Sequence, residues 1–135
     1  MASASPHTFS TPHLTHIVGF AMTTKPEQAR KFYSETLGFH FLRDDGFALV
    51  FDANGTLLRI AKMKEFTPVT YTILGWEVKD IATAVRDLSA SGVVFERYAG
   101  MPQDEQAICT FPNGDSVAWF KDPEGNVLSL SHHKR

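Results

Sequence analysis

The sequence lacks the features that mark several large classes of protein. It has one cysteine, Cys109, so an internal disulfide framework is impossible. A net charge of −2 gives no basic field for nucleic acid or an anionic membrane. No apolar run is long enough to cross a bilayer, and there is no phosphate loop, glycine-rich dinucleotide turn, Ser-His-Asp signature or paired-cysteine zinc motif. These absences predict a cytoplasmic protein that binds neither nucleic acid nor membranes.

The composition is typical of one globular domain. Of the 135 residues, 43% are hydrophobic and 21% are charged, and a chain of this length can bury a hydrophobic core. Residues 1–12 are small, polar and proline-containing, without an apolar signal core. We expect a disordered N-terminal lead-in over residues 1–12 and a single domain over residues 13–135.

The domain reads as two copies of one unit, at residues 14–62 and 69–131. In the first unit, the pattern predicts a strand at 14–22, a helix that begins at Pro26 and ends at Gly38, and strands at 39–42, 47–51 and 56–61. In the second, it predicts a strand at 71–78, a helix capped by Asp80 and ended by Gly92, and strands at 93–95, 107–111, 116–121 and 127–131. The element order is therefore a repeated βαβββ unit, with the short strand at 93–95 as an addition in the second copy.

Two segments carry a resemblance to a known family. The first is the turn Asp122-Pro123-Glu124-Gly125-Asn126 between apolar strands, in which Pro123 and Gly125 suit a type I turn. The second is the helix segment Ala29-Arg30-Lys31-Phe32-Tyr33 that runs into Leu37-Gly38-Phe39. Together they resemble the vicinal oxygen chelate superfamily, which includes glyoxalases, bleomycin resistance proteins and extradiol dioxygenases. The resemblance covers the chain from Leu14 to Ser131.

The resemblance implies an α+β fold. Two tandem βαβββ units would form a curled mixed sheet with a cleft, the glyoxalase/bleomycin-resistance fold. It also implies a homodimer, since small members of the family pair, often with clefts built from both chains. In metal-dependent relatives, His, Glu or Gln ligands come from the first and last strand of each unit.

Most of the ligand positions implied by the resemblance hold unsuitable residues. His16 matches the first-strand position of the first unit, but Thr70 to Ile73 offer no good ligand in the second. The last strand of the first unit has only the cations Arg59 and Lys62, and Ser129 stands where many relatives have Glu. His132 and His133 are further candidates, although they lie near the end of the chain. We therefore predict no metal and no cofactor.

Strand alternation predicts what lines the cleft instead. Leu74 and Trp76 would pack under the helix, which leaves Ile73 and Glu77 facing the cleft. The predicted ligand-binding residues are His16, Arg59, Ile73, Glu77, Trp119 and Ser129. In this set Arg59 and Glu77 contact a ligand, pair with each other or lie in water at the rim of the cleft, and Trp119 is a stacking wall for a planar molecule.

Two classes of function follow. The first is a protein that binds a small organic molecule in a sheet-lined cleft without a catalytic metal, as in the drug-sequestering branch of the family. The alternative is a lyase, isomerase or dioxygenase, either metal-dependent through His16 or metal-free through acid–base groups such as Glu77 and Arg59. Whether the protein is an enzyme stays open at this point, because a fold does not determine a function.

Overall fold

A computed structural model describes residues 13–135. The predicted N-terminal lead-in, residues 1–12, lies outside the described residues. The first half contains β1 (Val18–Thr23), α1 (Pro26–Lys31), a π-helical turn (Phe32–Thr36), β2 (His40–Asp44), β3 (Ala48–Ala53) and β4 (Thr56–Lys62). The second half contains β5 (Thr72–Glu77), α2 (Ile81–Ala90), β6 (Cys109–Thr110), β7 (Ser116–Lys121) and β8 (Val127–His132). The predicted repeat of βαβββ units is confirmed.

Each half forms its own 4-stranded mixed sheet. Sheet 1 has the strand order β1-β4-β3-β2, and sheet 2 has the equivalent order β5-β8-β7-β6. In both, the strand before the helix pairs in parallel with the last strand of the unit, and the remaining pairs are antiparallel. The two sheets are not closed into a barrel.

The helix boundaries follow the local signals in the sequence. Pro26 begins α1, and the main chain leaves the helical region at Gly38, where φ is +77°. The Asp80 carboxylate accepts a hydrogen bond of 3.0 Å from the Thr83 N–H at the start of α2. Gly92, with φ of +99°, follows the end of α2. These positions confirm the predicted starts and stops.

The predicted strand at residues 93–95 is wrong. Residues 93–98 form no strand in the described chain. Val93 is buried, and the Phe95 ring lies 5.4 Å from that of Phe120, so the apolar pattern reflects packing on the core rather than strand pairing. The predicted strand at 107–111 is also reduced to Cys109–Thr110, because Ala107 adopts a left-handed conformation with φ of +64°.

One hydrophobic core joins the two sheets and both helices. We call the side of each sheet that contacts this core its core face, and the opposite side its outer face. The core faces carry alternate residues of each strand, for example Leu58 and Ile60 in β4 and Leu128 and Leu130 in β8. The halves meet through aromatic contacts: ring centroids of Phe39 and Trp76 are 5.3 Å apart, and those of Phe32 and Phe120 are 6.4 Å apart.

The Asp122–Asn126 turn ties the second half to the first through buried polar contacts. The Tyr33 hydroxyl donates a hydrogen bond of 2.6 Å to the Asp122 carboxylate. The Asn126 amide donates to the same carboxylate at 2.8 Å and to the Met22 carbonyl at 2.9 Å. Burial, followed by the nearby Asp122 charge, raises the pKa of Tyr33 well above its ordinary value, so Tyr33 is a donor at neutral pH.

Glu124 extends this connection at the surface of the turn. Its carboxylate accepts hydrogen bonds from the Thr24 N–H at 2.7 Å and the Thr24 hydroxyl at 2.9 Å, with a longer one from Thr23. Partial burial raises the pKa of Glu124, but the hydrogen bonds from Thr24 and Thr23 outweigh it and hold the pKa below the ordinary value. The Asp122–Asn126 turn, which carries the resemblance in the sequence, therefore joins the two halves of the chain.

No helix in residues 13–135 is both long and apolar enough to span a membrane.

Candidate functional site

The outer faces of the two sheets hold most of the predicted site residues. On sheet 1, strand register places Phe20, Arg59 and Val50 side by side in one row. On sheet 2, Gly75, Ser129 and Trp119 form the corresponding row. Each row runs across the two parallel strands of its own unit, β1 and β4 or β5 and β8. The two rows therefore occupy equivalent places in the two halves.

Arg59 is held by an acidic turn that the sequence reading did not single out. Its guanidinium lies 2.8 Å from the Asp45 carboxylate, and both side chains are about one quarter exposed, 27% and 29%. Asp45 also accepts hydrogen bonds from the Ala48 and Phe47 N–H groups, at 2.9 and 3.0 Å. These two backbone hydrogen bonds and then Arg59 lower the pKa of Asp45 to about 2. The Asp44-Asp45-Gly46 sequence is a turn signal from which this carboxylate could have been found.

Glu77 has a different cation as its partner. It lies on the outer face of β5 beside Ser131, and its carboxylate forms an ion pair with Arg135. The hydrogen bond from Arg135 lowers the pKa of Glu77. The alternative in which Arg59 pairs with Glu77 is therefore wrong, since Asp45 neutralises Arg59 and Arg135 neutralises Glu77. A carboxylate with a lowered pKa beside a guanidinium is also a poor general base.

Ile73 does not face the predicted cleft. The pairing of β5 with β8 shifts by one residue between Thr72 and Leu74, and this irregularity places Ile73 against the core. Beyond it the predicted alternation is correct, with Leu74 and Trp76 on the core face.

Gly75, Ser129 and Trp119 form a small platform on sheet 2. A side chain at Gly75 would put its Cβ only 2.5 Å from the Ser129 Oγ, so glycine is what allows this serine to lean over β5. Trp119 is partly exposed and meets the Tyr98 ring edge-on, with centroids 5.3 Å apart and an interplanar angle of 78°. Tyr98, which the sequence reading missed, fixes one side of the indole. The platform offers a hydroxyl beside an aromatic wall.

His16, His132 and His133 do not form one cluster. His16 is exposed and precedes β1, which begins at Val18 rather than at the predicted residue 14. His132 bonds the Val78 carbonyl at 3.0 Å, and His133 lies 3.3 Å from the Asp115 carboxylate.

Apart from His16, which is exposed and precedes β1, the residues of the paired first and last strands do not fit a divalent metal. The parallel strand pairs place Phe20 beside Arg59 on sheet 1 and Gly75 beside Ser129 on sheet 2. An arginine repels a cation, and phenylalanine and glycine have no donor atom in their side chains. Within residues 13–135, no group of three or more His, Cys, Asp or Glu side chains is arranged to hold a metal ion. Cys109 is a fully buried free thiol.

Comparison with known proteins agrees with this architecture. Residues 13–130 match a family model described as the Glyoxalase/Bleomycin resistance protein/Dioxygenase superfamily. No curated protein matches the chain significantly.

Several solved structures share the fold at low sequence identity. A superfamily member from Sphaerobacter thermophilus DSM 20745 is 23% identical, with a TM-score of 0.68 and coverage of 88% of this chain and 98% of that one. TioX from Micromonospora sp. ML1 is 17% identical, with a TM-score of 0.68 and coverage of 89% and 99%. Lactoylglutathione lyase from Agrobacterium tumefaciens is 14% identical, with a TM-score of 0.65 and coverage of 87% and 93%.

Proposed function

Because the chain belongs to the Glyoxalase/Bleomycin resistance protein/Dioxygenase superfamily, we propose that it binds a small organic molecule on its sheet-lined outer faces without a catalytic metal. The observation that carries the proposal is the pair of equivalent rows, Phe20 with Arg59 and Gly75 with Ser129. These rows hold a cation, a hydroxyl and apolar surface, which suit an organic ligand rather than a divalent ion.

The chemistry of the rows favours a flat and partly polar ligand. Trp119 supplies an aromatic wall, and Ser129 supplies a hydroxyl that makes no hydrogen bond to another side chain in residues 13–135. Arg59 can donate to one carboxylate or enolate oxygen, but Asp45 already neutralises its charge. A molecule with several negative charges would therefore gain little from this surface.

The enzymatic alternative draws less support from the residues present. A metal-dependent reaction would have to rely on the exposed His16 as its principal ligand. A metal-free acid–base reaction would need Glu77 as the base, and the ion pair with Arg135 opposes that role.

We also propose that two chains assemble as a homodimer. The outer face of β1 exposes Val18 to 37% and Phe20 to 56%, and nothing else in the described chain covers them. A second copy would cover this surface and bring one sheet 1 opposite another chain's sheet 2. The ligand would then contact Arg59 from one protomer and Ser129 from its partner's equivalent row, a cleft that neither chain completes alone.

The assembly is tested by light scattering on the eluting protein at micromolar concentration. We expect a mass of twice the chain mass of 15.0 kDa. Phe20→Lys should shift the mass toward one chain, because it places a charge in the apolar contact. Val94→Lys is the matched control, since Val94 is 77% exposed beyond the end of α2. A wild-type mass of one chain would reject the dimer.

Ligand binding is tested with 2-naphthol, a flat and nearly neutral probe, against naphthalene-1,5-disulfonate. We expect saturable quenching of Trp119 fluorescence, in a Trp76→Phe background, by 2-naphthol and much weaker quenching by the disulfonate. Arg59→Ala should weaken 2-naphthol binding about fivefold to tenfold, as expected for one hydrogen bond to a charged group. Arg86→Ala, on the exposed surface of α2, should change it less than about twofold. Equal affinity for both probes, or no difference between the two arginine variants, would contradict the proposal.

A further inference from the structure

A cavity lies on the core side of the sheets, where the two halves meet. Its volume is about 250 Å³, and it opens near the β3–β4 turn between the two halves. Its walls are mainly core-face residues from both sheets, and the exposed Ile17 and the outer-face Gly75 also line it; the core-face residues are Gly19, Ala53, Thr56, Leu58, Leu74 and Trp76. No charged side chain is among the residues that line it.

The cavity exists because small residues stand where the sheets meet. Gly19 and Ala53 carry little or no side chain at positions that face Leu58 and Leu74. A Cβ at Gly19 would lie 3.3 Å from a methyl of each leucine, so the two leucines already press onto this glycine from both sheets.

The indole of Trp76 forms a fixed aromatic wall. The Phe39 ring packs against it with centroids 5.3 Å apart and an interplanar angle of 36°. Because Phe39 supports one face of the Trp76 indole, the indole keeps its orientation when nothing packs against its other face. Its quadrupole favours a second aromatic ring at an offset or edge-on position.

Thr56 supplies the polar group at the edge of the cavity. It shares the core face of β4 with Leu58, it is half-buried, and its hydroxyl has no hydrogen-bond partner among the described side chains. The Thr56 hydroxyl can form a hydrogen bond with one polar atom of a ligand. Any further polar atom of the ligand would lose its hydrogen bonds to water without replacement, so the site favours a ligand with one polar atom.

We propose that this cavity binds a neutral, single-ring aromatic molecule that carries one hydroxyl group, with the ring against Trp76 and the hydroxyl at Thr56. An apolar cavity of about 150 Å³ already accepts benzene, so one substituted ring fits the larger volume here. The absence of charged lining residues disfavours carboxylates and amines of the same size. This site is distinct from the outer-face site, because its walls other than Ile17 and Gly75 belong to the opposite faces of both sheets.

The test uses phenol and toluene, which have the same number of non-hydrogen atoms, on protein labelled with nitrogen-15. The chain has two tryptophans, so two indole N–H signals report on the two sites, and Trp119→Phe identifies the Trp76 signal. We expect both probes to shift the Trp76 signal in a saturable way and to leave the Trp119 signal in place. Movement of the Trp119 signal alone, or shifts that never saturate, would overturn the proposal.

Variants at the cavity separate specific binding from a packing defect. Thr56→Val should weaken phenol about tenfold and toluene less than about twofold, because it removes one hydrogen bond and keeps the shape. Thr110→Val, on the exposed edge strand β6, is the matched control and should change neither affinity. Gly19→Ala should weaken both probes, since it pushes the two leucines into the cavity. Equal loss of phenol and toluene binding in Thr56→Val, or full binding in Gly19→Ala, would contradict the assignment.

Loss of 2-naphthol binding at Trp119 would leave these results unchanged and would count only against the outer-face proposal.

Discussion

Asp122→Ala is expected to lower the free energy of unfolding by about 2 to 6 kcal/mol, because it removes the acceptor of the Glu124 and Asn126 N–H groups and of two buried side-chain donors, the latter at about 1 to 3 kcal/mol each. These donors are the Tyr33 hydroxyl and the Asn126 side-chain amide. Tyr33 is fully buried and Asp122 is 6% exposed, so water cannot easily replace the lost hydrogen bonds. Urea denaturation followed by circular dichroism measures the change.

Two further variants give smaller expected losses with which Asp122→Ala is compared. Tyr33→Phe removes one donor and leaves the Asp122 carboxylate with the Glu124 and Asn126 groups, so we expect a loss of only about 1 to 2 kcal/mol. Asp80→Ala removes a carboxylate that only caps α2, at a cost of about 1 kcal/mol. If Asp122→Ala were no more destabilising than Asp80→Ala, the turn would not be the connection between the halves that its contacts indicate.

Gly75→Ala is expected to destabilise the protein by about 1 to 3 kcal/mol, the usual range for overpacking at a close contact. The new Cβ would lie 2.5 Å from the Ser129 Oγ, so the serine would have to rotate. The double variant Gly75→Ala/Ser129→Ala should recover most of the loss, because the remaining contacts, to the carbonyl oxygen and the Cβ of residue 129, are an ordinary 3.6 and 3.9 Å. The two substitutions are therefore non-additive.

The same denaturation experiment measures all three variants, with Ser129→Ala alone as the control. We expect that single variant to lie within about 0.5 kcal/mol of the wild type, since its hydroxyl makes no side-chain hydrogen bond in residues 13–135. A double variant as unstable as Gly75→Ala would mean that the strain lies in the backbone of β5 rather than between the two side chains.

Local signals predicted the repeated units well. Pro26, Gly38, Asp80 and Gly92 act through backbone geometry and capping within a few residues, so their effects can be read from the sequence alone. Strand alternation likewise placed Trp76 on the core face correctly. The failures came where tertiary packing took over, as at residues 93–95, which pack as irregular chain against the core.

The site was harder to predict, because its contacts join distant segments. The alternation rule failed at Ile73, since one irregular pairing with β8 shifts the side chain to the other face. Arg59 and Glu77 were both recognised as outer-face charges, but their partners depend on the position of the Asp45 turn and of Arg135. Neither partner is near in the sequence to the residue it neutralises.

The central claim is that this superfamily member has no divalent metal site, and metal analysis of tag-free protein tests it most directly. The protein is incubated with equimolar zinc, nickel, iron(II) and manganese, desalted, and measured by plasma mass spectrometry. We predict fewer than about 0.1 metal ions per chain, because stable binding needs three or more protein ligands, and no such group of His, Cys, Asp or Glu side chains occurs in residues 13–135. A content of about one ion per chain that is lost in His16→Ala and kept in His133→Ala would contradict the claim and favour a metal-dependent enzyme.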